Sequence, residues 1–212
     1  MTTDRQLLKN KSKGKPDTAG KIYQAADALF CEAGYSGVSI RDIAQRAGVN
    51  KALVFYHFGN KDELFAKVLE RYYSAHIGAL STAYEGEGSQ NQRLHRVLDA
   101  YLDFMAQNIR YARLIQRQVS SSEADRVLIE RNLKPLFDWL QDVLLEVAPR
   151  TGPRSVRQFY VTFSAIVINY FTYAPILEVL WDEDPLTQSA LDERREHVHW
   201  LVDVLLEAMN RE

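Results

Sequence analysis

Residues 38–65 contain two short helical patterns that meet at a glycine: VSIRDIAQRAGVNKALVFYHFGNKDELF. The first begins at Ser39, whose hydroxyl can accept a hydrogen bond from a first-turn amide, and Asp42 then lies near the positive end of the helix dipole. It ends at Gly48, because a turn with positive φ favours glycine. The second extends from Lys51 to Phe58. This arrangement indicates a helix-turn-helix, although helix pairs with small residues at their crossing also occur in plain bundles.

The outer surface of this segment is rich in hydrogen-bond donors. The spacing leaves these side chains outward or at a helix end: Arg41, Lys51, Tyr56, His57 and Lys61. Each can donate to a phosphate or to a base edge. The alternative for His57 is a packed, hydrogen-bonded histidine. The residues themselves therefore favour binding to double-stranded DNA.

Further helical patterns lie on both sides of this segment. Apolar residues recur at helical spacing from Ile22 to Ala33, and Gly34 supplies a C-terminal cap. A fourth helix starts at Asn60 and is expected to run to Tyr84. Five more apolar stripes follow. Because no stretch alternates convincingly with period two, we predict an all-α fold of about nine helices.

Prolines set two further expectations. Pro135 lies inside a helical pattern and predicts a kink or a break there. Asp184 followed by Pro185 predicts the start of the last helix, since aspartate is a good N-cap and proline is favoured at the first helical position. The apolar stripe of that last helix includes Leu201 and Val202, which we expect to face a partner subunit.

Residues 158–177 form a long segment without a formal charge. Twenty such residues match the length of a membrane span. The segment also contains several polar side chains, among them Thr162, Asn169 and Thr172, and it includes Pro175. We therefore favour a helix shared between the protein core and a subunit interface over a membrane span.

Composition and charge indicate the class of protein. The chain has 212 residues, of which 46% are hydrophobic and 25% are charged, as in a globular protein with a substantial core. The single cysteine, Cys31, cannot form an internal disulfide, and the N-terminal residues lack the apolar stretch of a signal peptide, so we expect a cytoplasmic protein. The net charge is −2, yet residues 1–16 carry five Lys and Arg against one Asp. We expect these residues to form a flexible basic arm.

The stretch 38–65, with Phe30-Cys-Glu-Ala-Gly-Tyr35 before it, resembles the DNA-binding signature of the TetR family of one-component transcriptional regulators. The resemblance covers about residues 18–70. It implies a homodimeric regulator, in most cases a repressor that a small molecule releases from its operator. It also implies a helix-turn-helix domain at residues 17–62 and a ligand-binding and dimerisation domain at residues 63–212, with the last two helices forming the dimer.

Carried over residue by residue, the resemblance makes Lys51 to His57 the recognition helix in the major groove. Lys51 and Ala52 would contact base edges, while Arg41 and Lys61 would contact phosphates. Phe55 stands where the family usually has a phosphate-contacting tyrosine, so we expect that contact to be missing. The complete set implied for DNA binding is Ser39, Ile40, Arg41, Lys51, Ala52, Tyr56, His57 and Lys61.

The resemblance also places an effector pocket inside the C-terminal bundle. Aromatic side chains with a few polar tips suit an apolar or aromatic ligand. Plain core packing is the alternative for each of these candidates. The expected lining residues are Tyr101, Phe104, Met105, Trp139, Phe159, Tyr160, Phe163, Asn169, Tyr170 and Tyr173.

Other classes of function find little support in the sequence. We find no glycine-rich phosphate loop, no Cys/His ligand cluster and no nucleophile elbow, and we expect the five histidines not to converge. We therefore predict no catalytic residue, no metal site and no cofactor. The rival interpretation keeps the DNA-binding domain but gives the C-terminal bundle a protein partner, and a solid core without a cavity would favour it.

Overall fold

The computed structural model describes residues 17–119 and 123–210. This part of the chain contains nine helices and no strand, which confirms the all-α prediction. The basic arm predicted for residues 1–16 lies outside the described residues. The helices are α1 (Thr18–Ala33), α2 (Ile40–Ala47), α3 (Lys51–Phe58), α4 (Lys61–Tyr84), α5 (Gln90–Gln107), α6 (Ile109–Val119), α7 (Glu123–Leu144), α8 (Val156–Trp181) and α9 (Gln188–Asn210).

Local capping sets the boundaries of the first four helices. Ser39 and Asp42 form a complete capping box at the start of α2. The side chains of Asn50 and Asn60 accept hydrogen bonds of 2.9 and 2.8 Å from backbone amides in the first turns of α3 and α4. Gly48 ends α2 with φ of 68°, the left-handed conformation expected of the turn. The predicted helix-turn-helix is therefore present.

Of the kink or break that Pro135 predicts, the break is absent, because α7 continues through Pro135. The neighbouring Leu136 is buried between α7 and the helices it packs on, so tertiary packing offsets the lost backbone hydrogen bond. The helix α7 therefore depends on its neighbours more than on its own propensity.

The predicted start of the last helix at Asp184 is wrong, because α9 begins at Gln188. The Asp184 carboxylate accepts from the Leu186 amide at 2.9 Å, which makes a turn instead of a helix. The Tyr170 hydroxyl donates to the Pro185 carbonyl at 2.7 Å and ties this turn to α8. A tertiary contact thus displaces the helix start that local sequence predicts.

A shared core joins the first four helices to the rest of the described chain. Phe30 and Phe65 pack edge to face with ring centroids 4.9 Å apart. The same cluster includes Met105 of α5, Tyr111 of α6 and Phe171 of α8. Because α4 contributes side chains along most of its length, it connects the helix-turn-helix to the C-terminal helices.

The last helix packs one face against α5 of its own subunit. Val198, Val202 and Leu206 are buried with Leu94 and Leu98 of α5. The expectation that Val202 faces a partner subunit is therefore wrong. The side chains of α9 that remain exposed lie elsewhere on the helix.

Candidate DNA-binding surface and internal cavity

The recognition helix α3 is anchored by one face and open on the other. Val54 is buried, and Leu53 and Phe58 pack partly against the core. On the open face, Phe55 is 49% and Tyr56 is 81% exposed. Side chains with this exposure are accessible to a DNA groove or to a DNA backbone that covers them.

The other DNA-binding candidates lie around this open face. Most are exposed: Ser39, Arg41, Lys51, Ala52 and His57. Ile40 is half-buried and packs against the core, so its side chain serves the fold. The ring of His57 lies 5.0 Å from that of Tyr56, and its exposure disfavours the packed alternative.

Lys61 is held in place at the start of α4. Its ammonium lies 4.0 Å from the centre of the Tyr35 ring, a cation–π contact. The Tyr35 hydroxyl in turn donates to the carboxylate of Asp62. The turn after α1 therefore positions the positive charge of Lys61 at the start of α4.

An ion pair orients α2 on α1. Arg46 donates to both carboxylate oxygens of Glu32, at 2.6 and 2.9 Å. The hydrogen bond from Arg46 lowers the pKa of Glu32. Both side chains are about half exposed, so the pair contributes orientation more than stability. Arg46 therefore has a structural partner within the subunit.

Two adjoining cavities lie among the C-terminal helices. One has a volume of about 70 Å³ and is lined by side chains of α4, α5, α7, α8 and α9. The second has a volume of about 130 Å³ and lies among α4, α5, α6, α7 and α8. They share five lining residues: Leu80, Tyr101, Leu140, Tyr160 and Ser164.

The predicted pocket residues fall into distinct positions. Those that line a cavity are Tyr101, Phe159, Tyr160 and Phe163. Phe104, Met105 and Trp139 are packed among other side chains close by. Tyr170 lines a separate surface cleft with Trp181 and Arg194. Asn169 and Tyr173 are exposed on α8, away from both cavities.

Sequence reasoning missed four polar residues of the larger cavity: Tyr73, His76, Tyr111 and Ser164. His76 is only 3% exposed, and burial lowers its pKa to about 4. Its Nδ1 lies 3.5 Å from the Tyr111 hydroxyl, while its Nε2 has no hydrogen-bond partner among the described residues. For Tyr73 and His76, the signal that could have identified them is the stripe Leu69, Tyr73, His76 and Leu80 along one face of α4.

The expectation that the histidines do not converge is wrong for one pair. His95 of α5 and His199 of α9 approach with their Nδ1 atoms 2.9 Å apart. Their Nε2 atoms lie 2.8 Å from Asp203 and 2.7 Å from Asp99, respectively. The pair links α5 to α9. Within the described ranges, no group of three or more His, Cys, Asp and Glu side chains is placed to hold a metal ion.

Exposed apolar side chains are concentrated on α8 and α9. They are Val161, Tyr173, Ile176, Val179, Leu180 and Trp181 on α8, and Trp200 and Val204 on α9. By length and composition alone, α8 is the one described helix that could cross a membrane. An interface helix in a soluble protein has the same composition.

Comparison with known proteins identifies the family. The model of "Bacterial regulatory proteins, tetR family" matches residues 22–68, which include α2 and α3. The HTH-type transcriptional repressor Rv3405c of Mycobacterium tuberculosis is 31% identical over 190 residues, which cover 89% of each chain.

Solved structures show the same fold. The fatty acid degradation regulator FadR of Bacillus halodurans superimposes with a TM-score of 0.69 at 20% identity, over 92% of this chain and 97% of that chain. FadR of Bacillus subtilis, solved in complex with stearoyl-CoA, gives a TM-score of 0.66 at 19% identity, over 84% and 96%. With its helix-turn-helix and a relative that matches most of its length, the chain belongs to the TetR family of bacterial transcriptional regulators.

Proposed function

We propose that this regulator is a repressor that binds an operator as a homodimer and is released by a small apolar or aromatic effector. The observation that supports DNA binding is the open face of α3, where Phe55, Tyr56 and Lys51 are exposed. As a DNA-binding regulator, the protein would act in the cytoplasm and would not be an enzyme. The name of the mycobacterial relative, a repressor, supports the direction of regulation.

We assign a separate function to each of three segments of the chain. Residues 1–16 form a basic arm that adds backbone affinity, residues 17–62 bind DNA, and residues 63–212 bind the effector and dimerise. The exposed apolar faces of α8 and α9 supply the dimer interface, because two helices from each subunit can form a four-helix bundle.

The cavities favour a small molecule over a protein partner in the C-terminal bundle. A solid core would have favoured the protein partner, whereas the two cavities leave room inside the fold. The Bacillus subtilis neighbour holds stearoyl-CoA, which supports a small ligand in this architecture.

The helix α4 offers a route from cavity to DNA. Lys61 is the first residue of α4, and Leu80, nineteen residues later, lines both cavities. The rise of the helix places these two residues about 28 Å apart along its axis. A ligand that binds more tightly to a DNA-incompetent position of α4 would shift the population away from the operator.

The direct test is selection of bound duplexes from a random DNA library by the purified protein. We expect enrichment of a palindromic sequence, because a two-fold symmetric dimer reads two equivalent half-sites. Failure to enrich any sequence at about 0.1 M salt would contradict the proposal.

On the selected duplex, Lys61→Ala is expected to weaken binding about tenfold or more, with the same loss on unrelated sequences. Each phosphate contact contributes about 0.9 to the steepness of the plot of log K against log salt concentration. A dimer that loses one contact in each subunit should therefore show a slope that is less steep by about two. Fluorescence anisotropy at several salt concentrations measures both. Lys134→Ala is the matched control, since it also removes one ammonium, from α7. Equal slopes for the two variants would remove Lys61 from the phosphate contacts.

Phe55→Tyr is expected to strengthen operator binding about fivefold. Phe55 is 49% exposed, so a hydroxyl added to its ring reaches outward and can donate to the phosphate that the family's usual tyrosine contacts. Phe55→Leu keeps the site apolar and should give no such gain. If tyrosine binds no more tightly than phenylalanine in the same anisotropy assay, this position does not face a phosphate.

A further inference from the structure

The two cavities differ in chemistry. The side chains found only in the smaller cavity are all apolar, among them Leu98, Phe159 and Val202. The polar side chains Tyr73, His76 and Tyr111 belong to the larger cavity, and Tyr101, Tyr160 and Ser164 line both. A molecule that fills both volumes therefore meets polar groups over one part and hydrocarbon over the other.

The volumes limit the size of this molecule. A cavity of about 150 Å³ holds one benzene ring. The larger cavity, at about 130 Å³, is close to that size, and the smaller, at about 70 Å³, suits a short alkyl group. Together they fit one six-membered ring with a short apolar tail.

The lining also determines the charge of the molecule. None of the described side chains that line either cavity is a lysine, arginine, aspartate or glutamate. A carboxylate or ammonium placed there would be desolvated without an opposite charge, which costs several kcal/mol. The cavity therefore selects against ionic ligands.

His76 and Tyr73 bring polar atoms to the larger cavity. The Nε2 of His76 is buried and has no hydrogen-bond partner among the described residues, and the buried hydroxyl of Tyr73 interacts with that of Tyr111. The two residues are three positions apart on α4, so they lie on the same side of that helix. Buried polar atoms without partners cost free energy, and a ligand that pairs with them regains it.

A hydroxyl is the group that matches this site. Since burial lowers the pKa of His76 to about 4, its ring is neutral near pH 7 and offers one donor and one acceptor. A hydroxyl both donates and accepts, so it pairs with Nε2 in either tautomer, whereas a ketone pairs with only one.

We propose that the larger cavity binds a neutral, hydroxyl-bearing monocyclic molecule, such as a short-chain alkylphenol, whose hydroxyl pairs with His76 Nε2 and with Tyr73. This assignment rests on the proposed effector function and names the ligand class of that site. The alkyl group extends into the smaller cavity, towards Leu98 and Val202.

The test is calorimetric titration of the full-length protein with 4-propylphenol, propylbenzene and 4-propylbenzoate. We expect 4-propylphenol to bind about tenfold more tightly than propylbenzene, the worth of one hydrogen bond to an otherwise unpaired group. The benzoate should bind at least a hundredfold more weakly than the phenol. Equal affinities for the phenol and propylbenzene, or binding of none of the three, would overturn the assignment.

Variants separate the hydrogen bond from the cavity. His76→Phe keeps an aromatic ring stacked on Phe104, and Tyr73→Phe removes only a hydroxyl. Each should lower the preference for 4-propylphenol over propylbenzene about fivefold while leaving propylbenzene binding unchanged. Tyr84→Phe is the control, because its hydroxyl bonds to Gln90 outside both cavities. An undiminished preference in both Tyr73→Phe and His76→Phe contradicts the proposal.

Release of the selected operator by the same compounds distinguishes this inference from the proposed function. Preferential binding of the phenol without release from DNA would overturn the effector role and keep the ligand class. Equal release by the phenol and propylbenzene would keep the effector role and overturn the ligand class.

Discussion

Trp200→Glu is expected to convert the dimer into monomers. Trp200 is 59% exposed on α9 and belongs with Val204 to the exposed apolar side chains that we assign to the subunit interface. Two-fold symmetry places the new carboxylate in the interface twice, and each desolvated, unpaired charge costs several kcal/mol. The dimer dissociation constant should rise by at least about a thousandfold, and sedimentation velocity at micromolar concentration measures it.

A matched control is available on another helix. Val127 of α7 is 61% exposed, and it lies outside α8 and α9. Val127→Glu therefore adds the same charge to a similarly exposed site and should leave the dimer intact. Circular dichroism must show the same helix content in both variants. A dimer that persists in Trp200→Glu would contradict the assignment of the α9 face.

The choice of position depends on the structure. A charge at Val202, which the sequence suggested as an interface residue, would unfold the subunit because Val202 packs with Leu98 and Leu206 in its own core. Loss of dimers would then report misfolding. At Trp200 the same result reports association.

Monomers should also lose the operator. A dimer contacts both half-sites of the operator at once, whereas a monomer contacts only one half-site. We expect Trp200→Glu to weaken binding to the selected palindrome by at least about a hundredfold, with little change on an isolated half-site.

Sequence predicted the elements whose boundaries depend on neighbouring residues. The starts of α2, α3 and α4 follow from Ser39, Asn50 and Asn60, each of which bonds an amide three residues later. Such contacts are visible in the sequence because both partners lie within one turn. The family resemblance at residues 38–65 rests on the same local pattern.

The errors came from contacts between distant parts of the chain. The start of α9 differs from the predicted one because the Tyr170 hydroxyl bonds to the Pro185 carbonyl. The contact between His95 and His199 joins residues 104 positions apart in the chain. Neither contact leaves a periodic signal, since each depends on how two helices pack.

The candidate sites were predictable to different degrees. The open face of α3 follows from a short helix with Val54 as its anchor. The polar residues of the cavity were missed because Tyr73 and His76 resemble ordinary members of the α4 stripe until α5 and α6 enclose them. Asn169 and Tyr173 were assigned to the pocket for their chemistry, but the rotation of α8 leaves them exposed.

Acid is expected to destabilise the protein through His76. In the folded protein its pKa is about 4, against an ordinary value of 6.5, because burial penalises the charged ring. Between these two values the unfolded chain binds the proton and the folded chain does not, so stability rises with pH across this window. The contribution is complete above pH 6.5 and is lost towards pH 4, about 3 kcal/mol in total.

Among the described residues, burial alone shifts the pKa of His76, and no charged side chain opposes the shift. The centre of its ring lies 4.6 Å from that of Phe104, on which it stacks, 4.8 Å from that of Tyr101 and 5.8 Å from that of Tyr111. Burial raises the pKa of both tyrosines. These neighbours therefore stay neutral throughout the window.

Urea unfolding of wild type and His76→Phe between pH 4 and pH 7 isolates this contribution from that of the other titrating groups. The free energy of unfolding of the wild type should fall more steeply on acidification, by up to about 1.4 kcal/mol per pH unit for one proton. Parallel curves for the two proteins would mean that the folded state accepts a proton at His76 without penalty. The cavity would then not be the apolar environment on which the neutral-ligand assignment depends.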